Sequence, residues 1–214
     1  MRAISPLSRV GGCPGAVRLL IVGVVLLAGA ARGAEPPPEA ASTPVRVEIR
    51  TDLGVIEIGL EPTRAPTTVA NFLRYVDAGR YDGGRFHRTV RPDNEVRPEI
   101  PIEVVQAGVA PGRELDDFPA IPLERTRDTG LRHVDGAISM ARDAPDSATS
   151  DFFVCLGDQP ALDFGGRRNP DGQGFAVFGR VVAGMEVVRR IQAAPASGQT
   201  LTPPILVRTV RRLP

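Results

Sequence analysis

Apolar and polar residues alternate along several short segments of this chain, and clusters of Gly, Pro and Asp separate the segments. The alternation begins at Val45, Val47 and Ile49 and returns in Val55–Leu60 after a turn, which predicts a β-hairpin. The same pattern predicts six further strands: Arg85–Val90, Glu103–Val109, Gly136–Arg142, Phe152–Leu156, Ala176–Val182 and Ile205–Arg211. The chain is therefore predicted to be mainly β.

Two segments have a helical period instead. Between Val69 and Val76 the apolar residues recur at i, i+3, i+4 and i+7, with Pro66 suited to a first turn and Gly79 to a helix end. A second helix is predicted at Met185–Gln192. Eight strands and two well-separated helices, with no regular strand–helix alternation, favour a closed eight-stranded antiparallel β-barrel capped by two α-helices.

Residues 1–33 have the pattern of an export signal peptide. Arg2, Arg9 and Arg18 precede an apolar run at 19–27, and small residues follow it. The run is shorter than the roughly 20 apolar residues that a membrane-spanning helix needs. We expect cleavage, no membrane span in the mature chain and export, into the periplasm if the source is a Gram-negative bacterium. An uncleaved membrane anchor is the alternative.

The rest of the chain divides into a short linker and one domain. Residues 34–44 are rich in proline and small residues, which leave nothing to bury, so we interpret them as a linker or a disordered tail. A chain of 214 residues, 42% of them hydrophobic, is long enough for one well-buried core and short for two. Residues 45–214 are therefore predicted to be a single domain, which we expect to be a monomer.

Composition excludes several classes of function. All 26 basic residues are arginine, and removing residues 1–33 leaves 22 of them against 25 acidic residues, a balance of −3. No basic stripe interleaved with aromatic residues is visible, so a nucleic-acid partner is not expected. His87 and His133 stand far apart without Cys or carboxylate at metal-ligand spacing, which predicts no metal and no cofactor. Cys155 is interpreted as a buried strand residue, with a reactive thiol as the alternative.

Short motifs lie on or next to the predicted strands. They are Tyr81–Arg88 (YDGGRFHR), Gln106–Gly108 (QAG), Ser139–Ala141 (SMA), Phe152–Val154 (FFV), Leu162–Asp163 and Phe178–Arg180 (FGR). In this order and spacing, over residues 45–192, they resemble the cyclophilin family of peptidyl-prolyl isomerases. The resemblance implies an eight-stranded barrel with two capping helices and a peptide-binding groove on its outer face. Proline-containing peptides and unfolded protein chains are the partners that it implies.

Isomerisation of an Xaa–Pro bond requires a donor in a defined place. The barrier is roughly 18–20 kcal/mol because amide resonance is lost at the twisted midpoint. A catalyst has to bind that midpoint better than either planar form. The proline nitrogen regains a lone pair there, and Arg88 supplies a donor for it. Arg88 is therefore the predicted catalytic residue, and the reaction needs no nucleophile, metal or net proton transfer. Strict alternation puts Phe86 and Arg88 on one face of their strand and His87 on the other, as a hydrogen-bonded structural residue that points into or across the barrel.

The resemblance also implies an apolar cavity for the proline ring beside Arg88. The residues that match its substrate-binding positions are Val104, Gln106, Ala141, Phe153, Leu162 and Phe175. Gln106 is expected to support the arginine and to contact the peptide, and Ala141 to contact it through the backbone. Val104 stands where the family usually has methionine.

Other positions depart from the family pattern. Ala161 stands where many members have tryptophan, Phe175 replaces a pocket histidine, and Glu103 falls near a usual phenylalanine. Arg142 and Asp151 replace a common asparagine and a glutamine. These departures motivate an alternative function, a non-catalytic peptide-binding or chaperone module on the same barrel. Arg88 and Gln106, which match the family pattern, favour the isomerase.

Two loops are long. The first, Thr89–Val105, is interpreted as a loop at the edge of the groove that either selects substrates or partners or is a tolerated surface insertion. The second, Gly165–Gly174, precedes Phe175 and is expected to border the same pocket.

Overall fold

A computed structural model describes residues 45–114 and 117–214 of the chain. The predicted signal peptide and the predicted linker both lie outside the described residues. None of the helices within the described ranges has the length and hydropathy of a membrane-spanning segment.

The β-structure forms a closed barrel. Nine strands are present in the described part of the chain: β1 Arg46–Thr51, β2 Gly54–Leu60, β3 Arg85–Val90, β4 Val104–Gly108, β5 Ala137–Met140, β6 Phe152–Cys155, β7 Ala176–Ala183, β8 Ala196–Ser197 and β9 Thr200–Arg212. Eight of them follow the antiparallel order β1-β2-β7-β5-β6-β4-β3-β9, and β9 pairs back onto β1. Strand β8 is only two residues long and forms a hairpin with the start of β9. The predicted eight-stranded barrel is confirmed.

Both predicted helices are present, and the described residues add one short helix that was not predicted. The helices are α1 Pro66–Asp77, α2 Thr126–Thr129 and α3 Met185–Gln192, with a 3-10 turn at Pro160–Leu162. Helix α1 buries one apolar face, and its Phe72 ring lies 5.1 Å from Phe178 and 5.6 Å, edge-on, from Phe152. Helix α3 likewise buries Val187, Val188 and Ile191. The periodic residues thus place each helix against the barrel.

The barrel interior is filled by the inward-facing residue of each alternating pair. In β4, Val105 and Ala107 are fully buried, whereas Gln106, between them, is only partly buried and faces the outer side. Cys155 ends β6 with no exposed surface, and burial raises the pKa of its thiol. The interpretation of Cys155 as a buried strand residue is confirmed.

Strand β3 contains a bulge that the sequence did not predict. Phe86 pairs with Ala107 and Arg88 pairs with Gln106, so the register shifts at His87. Because consecutive residues of β4 point to opposite sides of the sheet, Phe86 and Arg88 must do so as well. The prediction from strict alternation, which put these two side chains on one face and His87 on the other, pointing into or across the barrel, was wrong. The bulge lets Phe86 fill the core while Arg88 faces outward.

Candidate active site

A cavity of about 580 Å³ lies on the outer side of the barrel, over β3, β4 and β6. All seven residues predicted for the site line it: Arg88, Val104, Gln106, Ala141, Phe153, Leu162 and Phe175. The alternation that buries Phe152 in the core turns Phe153 toward the cavity. Arg88, Val104 and Gln106 belong to β3 and β4, and Leu162 belongs to the 3-10 turn. Ala141 directly follows β5 and Phe175 directly precedes β7, so the site assembles only when the barrel closes.

One side of the cavity is apolar. We call Val104, Phe153, Leu162 and Phe175 the apolar notch. The Phe153 and Phe175 rings meet edge-on, with centroids 5.3 Å apart and planes at 88°, and Leu162 is 1% exposed. Packed, rotamer-restricted walls of this kind suit a small apolar ring such as that of proline.

A buried polar network supports this wall from behind. The His133 ring stacks on Phe153 at 5.9 Å with an interplanar angle of 11°. Its Nδ1 lies 2.8 Å from Asp163 Oδ1 and its Nε2 lies 3.0 Å from Ser139 Oγ. Burial lowers the pKa of His133, although Asp163 opposes this. All three side chains are buried, so the network orients Phe153 and offers no nucleophile to a substrate. Sequence analysis gave His133 no role, because nothing local marks it.

The other side of the cavity holds the Arg88 guanidinium between two amides. Arg88 Nη1 donates to Gln106 Oε1 at 3.0 Å. Its Nε and Nη2 both donate to Gln199 Oε1, at 3.1 and 2.8 Å. Burial lowers the pKa of Arg88, and the nearby Arg168 adds to this effect. Gln199 lies in the turn between β8 and β9, and the sequence analysis missed it because a single glutamine in a turn carries no pattern.

The guanidinium keeps donors available. Arginine has five N–H groups, of which three are used by Gln106 and Gln199. Among the described residues, one N–H on each terminal nitrogen of Arg88 has no protein acceptor, and no carboxylate is hydrogen-bonded to the group. The cation is therefore fixed in place without being neutralised by a direct ion pair.

Asp151 fixes the orientation of Gln106. Gln106 Nε2 donates to Asp151 Oδ2 at 3.0 Å, and an ionised carboxylate can only accept. The Gln106 amide must therefore turn its oxygen toward Arg88. Burial raises the pKa of Asp151, against the effects of Gln106 and His87. His87 Nε2 lies 3.6 Å from Asp151 Oδ2, and the His87 side chain is 34% exposed.

The two long loops border the cavity, as expected. Arg97 and Ile102 line it from the first loop, and Arg168 and Asn169 line it from the second. The loops are joined by a salt bridge between Arg168 Nη1 and Glu95 Oε2, 3.0 Å long, whose side chains are 9% and 2% exposed. The inserted residues are thus part of the cavity wall.

Two of the positions that depart from the family pattern, Arg142 and Glu103, have polar partners here. Arg142 binds both carboxylate oxygens of Asp171, at 2.7 and 2.9 Å, and lies over the Phe175 ring at 5.3 Å. Glu103 accepts a hydrogen bond from Gln192 Nε2 at 3.0 Å. These side chains are engaged within the protein and leave the Arg88 region intact.

Within the described residues, no group of three or more His, Cys, Asp or Glu is arranged to hold a metal ion.

The fold and the site define a barrel with an outer cavity in which a fixed cation faces apolar walls. The family model described as "Cyclophilin type peptidyl-prolyl cis-trans isomerase/CLD" matches residues 46–212. Peptidyl-prolyl cis-trans isomerase A of Dickeya dadantii is 40% identical over 156 residues, which are 72% of this chain and 75% of that one. Peptidyl-prolyl cis-trans isomerase B of Escherichia coli is 34% identical over 155 residues, 72% and 87% of the two chains.

A solved cyclophilin-type isomerase of Cryptosporidium parvum has the same fold, with a TM-score of 0.65 at 19% identity over 79% of this chain and 98% of that one. A second structure of that protein was determined in the presence of the dipeptide Ala-Pro. The chain belongs to the cyclophilin-type peptidyl-prolyl cis-trans isomerase family. It is an isomerase, and this assignment favours catalysis over the alternative of a non-catalytic peptide-binding module.

Proposed function

We propose that this isomerase rotates Xaa–Pro bonds in unfolded and loosely structured exported proteins, with Arg88 as the catalytic donor. The observation that carries the proposal is a guanidinium held by two neutral amides beside an apolar notch. The apolar notch holds the proline ring, and Gln106 and the Ala141 backbone hold the flanking peptide. The part of the substrate beyond the imide bond is then free to rotate.

The catalytic effect arises because Arg88 interacts more strongly with the twisted imide than with either planar form. In a planar imide the nitrogen lone pair is delocalised and accepts poorly, whereas at the twisted midpoint it is localised. A hydrogen bond that involves a charged group contributes about 1.5–3 kcal/mol. If this bond forms only at the midpoint, the rate rises by roughly 10- to 150-fold. Burial of the bound proline increases the effect, since water competes less for the donor.

Comparing wild type with Arg88→Ala tests the role of the arginine. The rate of cis-to-trans isomerisation is measured on short Xaa–Pro peptides, and we expect kcat/KM to fall by at least about tenfold in the variant. Arg208→Ala is the matched control, because Arg208 is an exposed arginine outside the cavity. Equal rates for wild type and Arg88→Ala would refute the assignment of Arg88.

Export is the second part of the proposal, and the pattern of residues 1–33 supports it. Uncatalysed proline isomerisation takes about 10–100 s at 25 °C, which is slow enough to limit the folding of a secreted chain. Fractionation of bacterial cells that express the full chain tests the location, with mass spectrometry of the N-terminus. We expect a soluble periplasmic protein that has lost the signal. An intact N-terminus in the membrane fraction would favour the uncleaved anchor instead.

A further inference from the structure

We propose that Gln199 is a positioning residue for Arg88, and that the first long loop acts on the reaction through Gln199. This inference rests on the proposed catalytic role of Arg88. It also gives the loop a third role, beside substrate selection and a tolerated insertion.

Gln199 restrains the edge of the guanidinium that Gln106 does not reach. Its Oε1 accepts from Nε and Nη2 of Arg88, and Gln106 accepts from Nη1. Two acceptors on different sides of a planar group restrict its rotation about the side-chain bonds. An amide oxygen carries no net charge, so the hold does not cancel the charge of the arginine.

The main chain of Gln199 is tied to the strand that carries Arg88. The Thr89 N–H donates to the carbonyl oxygen of Gln199 at 2.9 Å, and Arg88 pairs with Thr200 in the β3–β9 ladder. The side chain of Gln199 therefore starts from a backbone position fixed relative to Arg88.

Asn94, in the first long loop, holds Gln199 in turn. Gln199 Nε2 donates to the carbonyl oxygen of Asn94 at 3.2 Å. The side-chain amide of Asn94 donates to the carbonyl oxygens of Gly198 at 3.0 Å and Thr89 at 3.2 Å. The hydrogen bond from Gln199 Nε2 to Asn94 sets the orientation of the Gln199 amide, with its nitrogen toward Asn94 and its oxygen toward Arg88. A chain of hydrogen bonds thus runs from the loop through Gln199 to the guanidinium.

Gln199→Met tests the proposal, because methionine is similar in size and lacks the amide. A displaced guanidinium should reduce kcat more than it changes KM, and we expect a fall in kcat of about tenfold. In an Arg88→Ala background the same substitution should change nothing further, since Gln199 has no donor left to position. Equal losses of kcat in both backgrounds would overturn the proposal. Gln173→Met is the matched control, because Gln173 Oε1 also accepts from an arginine, Arg125 Nε at 2.6 Å, but does not line the cavity.

A spectroscopic measurement tests the positioning without reference to activity. The Nε–H of Arg88, assigned by its loss in Arg88→Ala, should exchange slowly with solvent in the wild type and at least about tenfold faster in Gln199→Met. Unchanged exchange would overturn the proposal even if the activity fell. If Arg88→Ala proved fully active, the proposed catalytic role would fail, and this exchange experiment would still decide whether Gln199 holds the group.

Asn94→Ala tests the link to the loop. We expect a smaller fall in kcat than for Gln199→Met, and no additional fall when the two substitutions are combined. Additive losses of kcat would show that the loop acts independently of Gln199 and would overturn that part of the proposal.

Discussion

Gly108, the last residue of β4, has no room for a side chain, and the obstacle is a residue of the site. A Cβ built there would lie 1.8 Å from Asp151 Oδ1 and 2.8 Å from its Cγ, while real Cβ contacts essentially never fall under 3.0 Å. In Gly108→Ala the Asp151 carboxylate must therefore move by on the order of 1 Å. That movement strains the local packing and weakens the hydrogen bond from Gln106. Together these effects should cost about 1–3 kcal/mol of unfolding free energy.

A double-mutant cycle measures this coupling. Gly108→Ala is introduced into the wild type and into Asp151→Ala, and the unfolding free energies are taken from denaturant titrations. In the Asp151→Ala background the carboxylate is absent, so the added methyl group should cost less than about 0.5 kcal/mol or stabilise the strand. The activity of Gly108→Ala should also fall, because the Gln106 amide that faces Arg88 loses its fixed orientation.

The refuting result is equally specific. A loss of stability that is the same in both backgrounds would mean that the methyl group collides with the backbone and not with Asp151. A Gly108→Ala variant with wild-type stability and activity would show that Asp151 moves without consequence. Asp151 would then have no part in orienting Gln106.

Two further predictions concern buried titratable groups. The folded state lowers the pKa of His133. As the pH falls below about 6.5, the unfolded chain therefore takes up a proton before the folded protein does. The unfolding free energy should then fall by up to about 1.4 kcal/mol per pH unit until the pH reaches the pKa of His133 in the folded state. Thermal unfolding between pH 7.5 and about 5 should show this slope, and His133→Gln should flatten it; the same slope in both proteins would contradict a neutral buried His133. Glu95→Gln leaves Arg168 without its charged partner in a pair that is 9% and 2% exposed, so we expect a destabilisation of about 3 kcal/mol. Asp52→Asn, in an exposed pair with Arg208, should cost less than about 1 kcal/mol, and equal costs for the two variants would mean that the Glu95 pair is hydrated.

The strands and helices were predictable where the signal is local. Strand β3 has the predicted limits Arg85–Val90, and helix α3 has the predicted limits Met185–Gln192. Strand β9 begins five residues earlier than predicted, at Thr200, because Thr200 and Leu201 pair with β8 and Thr200 also pairs with Arg88 of β3. Pro203 and Pro204 lie between these residues and Ile205. Prolines argue against a strand when only the sequence is considered, so the predicted strand began only after them, at Ile205.

The site was predictable only in part, because its support depends on distant pairings. All the cavity residues that the family resemblance implied do line one cavity. Alternation along β4 and β6 agrees with the outward direction of Gln106 and Phe153. Alternation along β3 alone does not predict the direction of the Arg88 side chain. That direction depends on the register between β3 and β4, which is set by the partner strand. Gln199 is separated from Arg88 by 111 positions in the sequence. No local pattern connects the two.

Asp151 shows why a departure from the family pattern need not weaken the chemistry. The Gln106 amide nitrogen needs an acceptor at that point, and a carboxylate is an acceptor in both oxygens whereas a glutamine is one only in its correct orientation. Asp151 therefore specifies the direction of the Gln106 amide more strictly than a glutamine would. Its charge stays one side chain away from Arg88, since Gln106 lies between them. The substitution therefore affects the charge that a bound peptide meets in the groove, while the donor beside the apolar notch is retained.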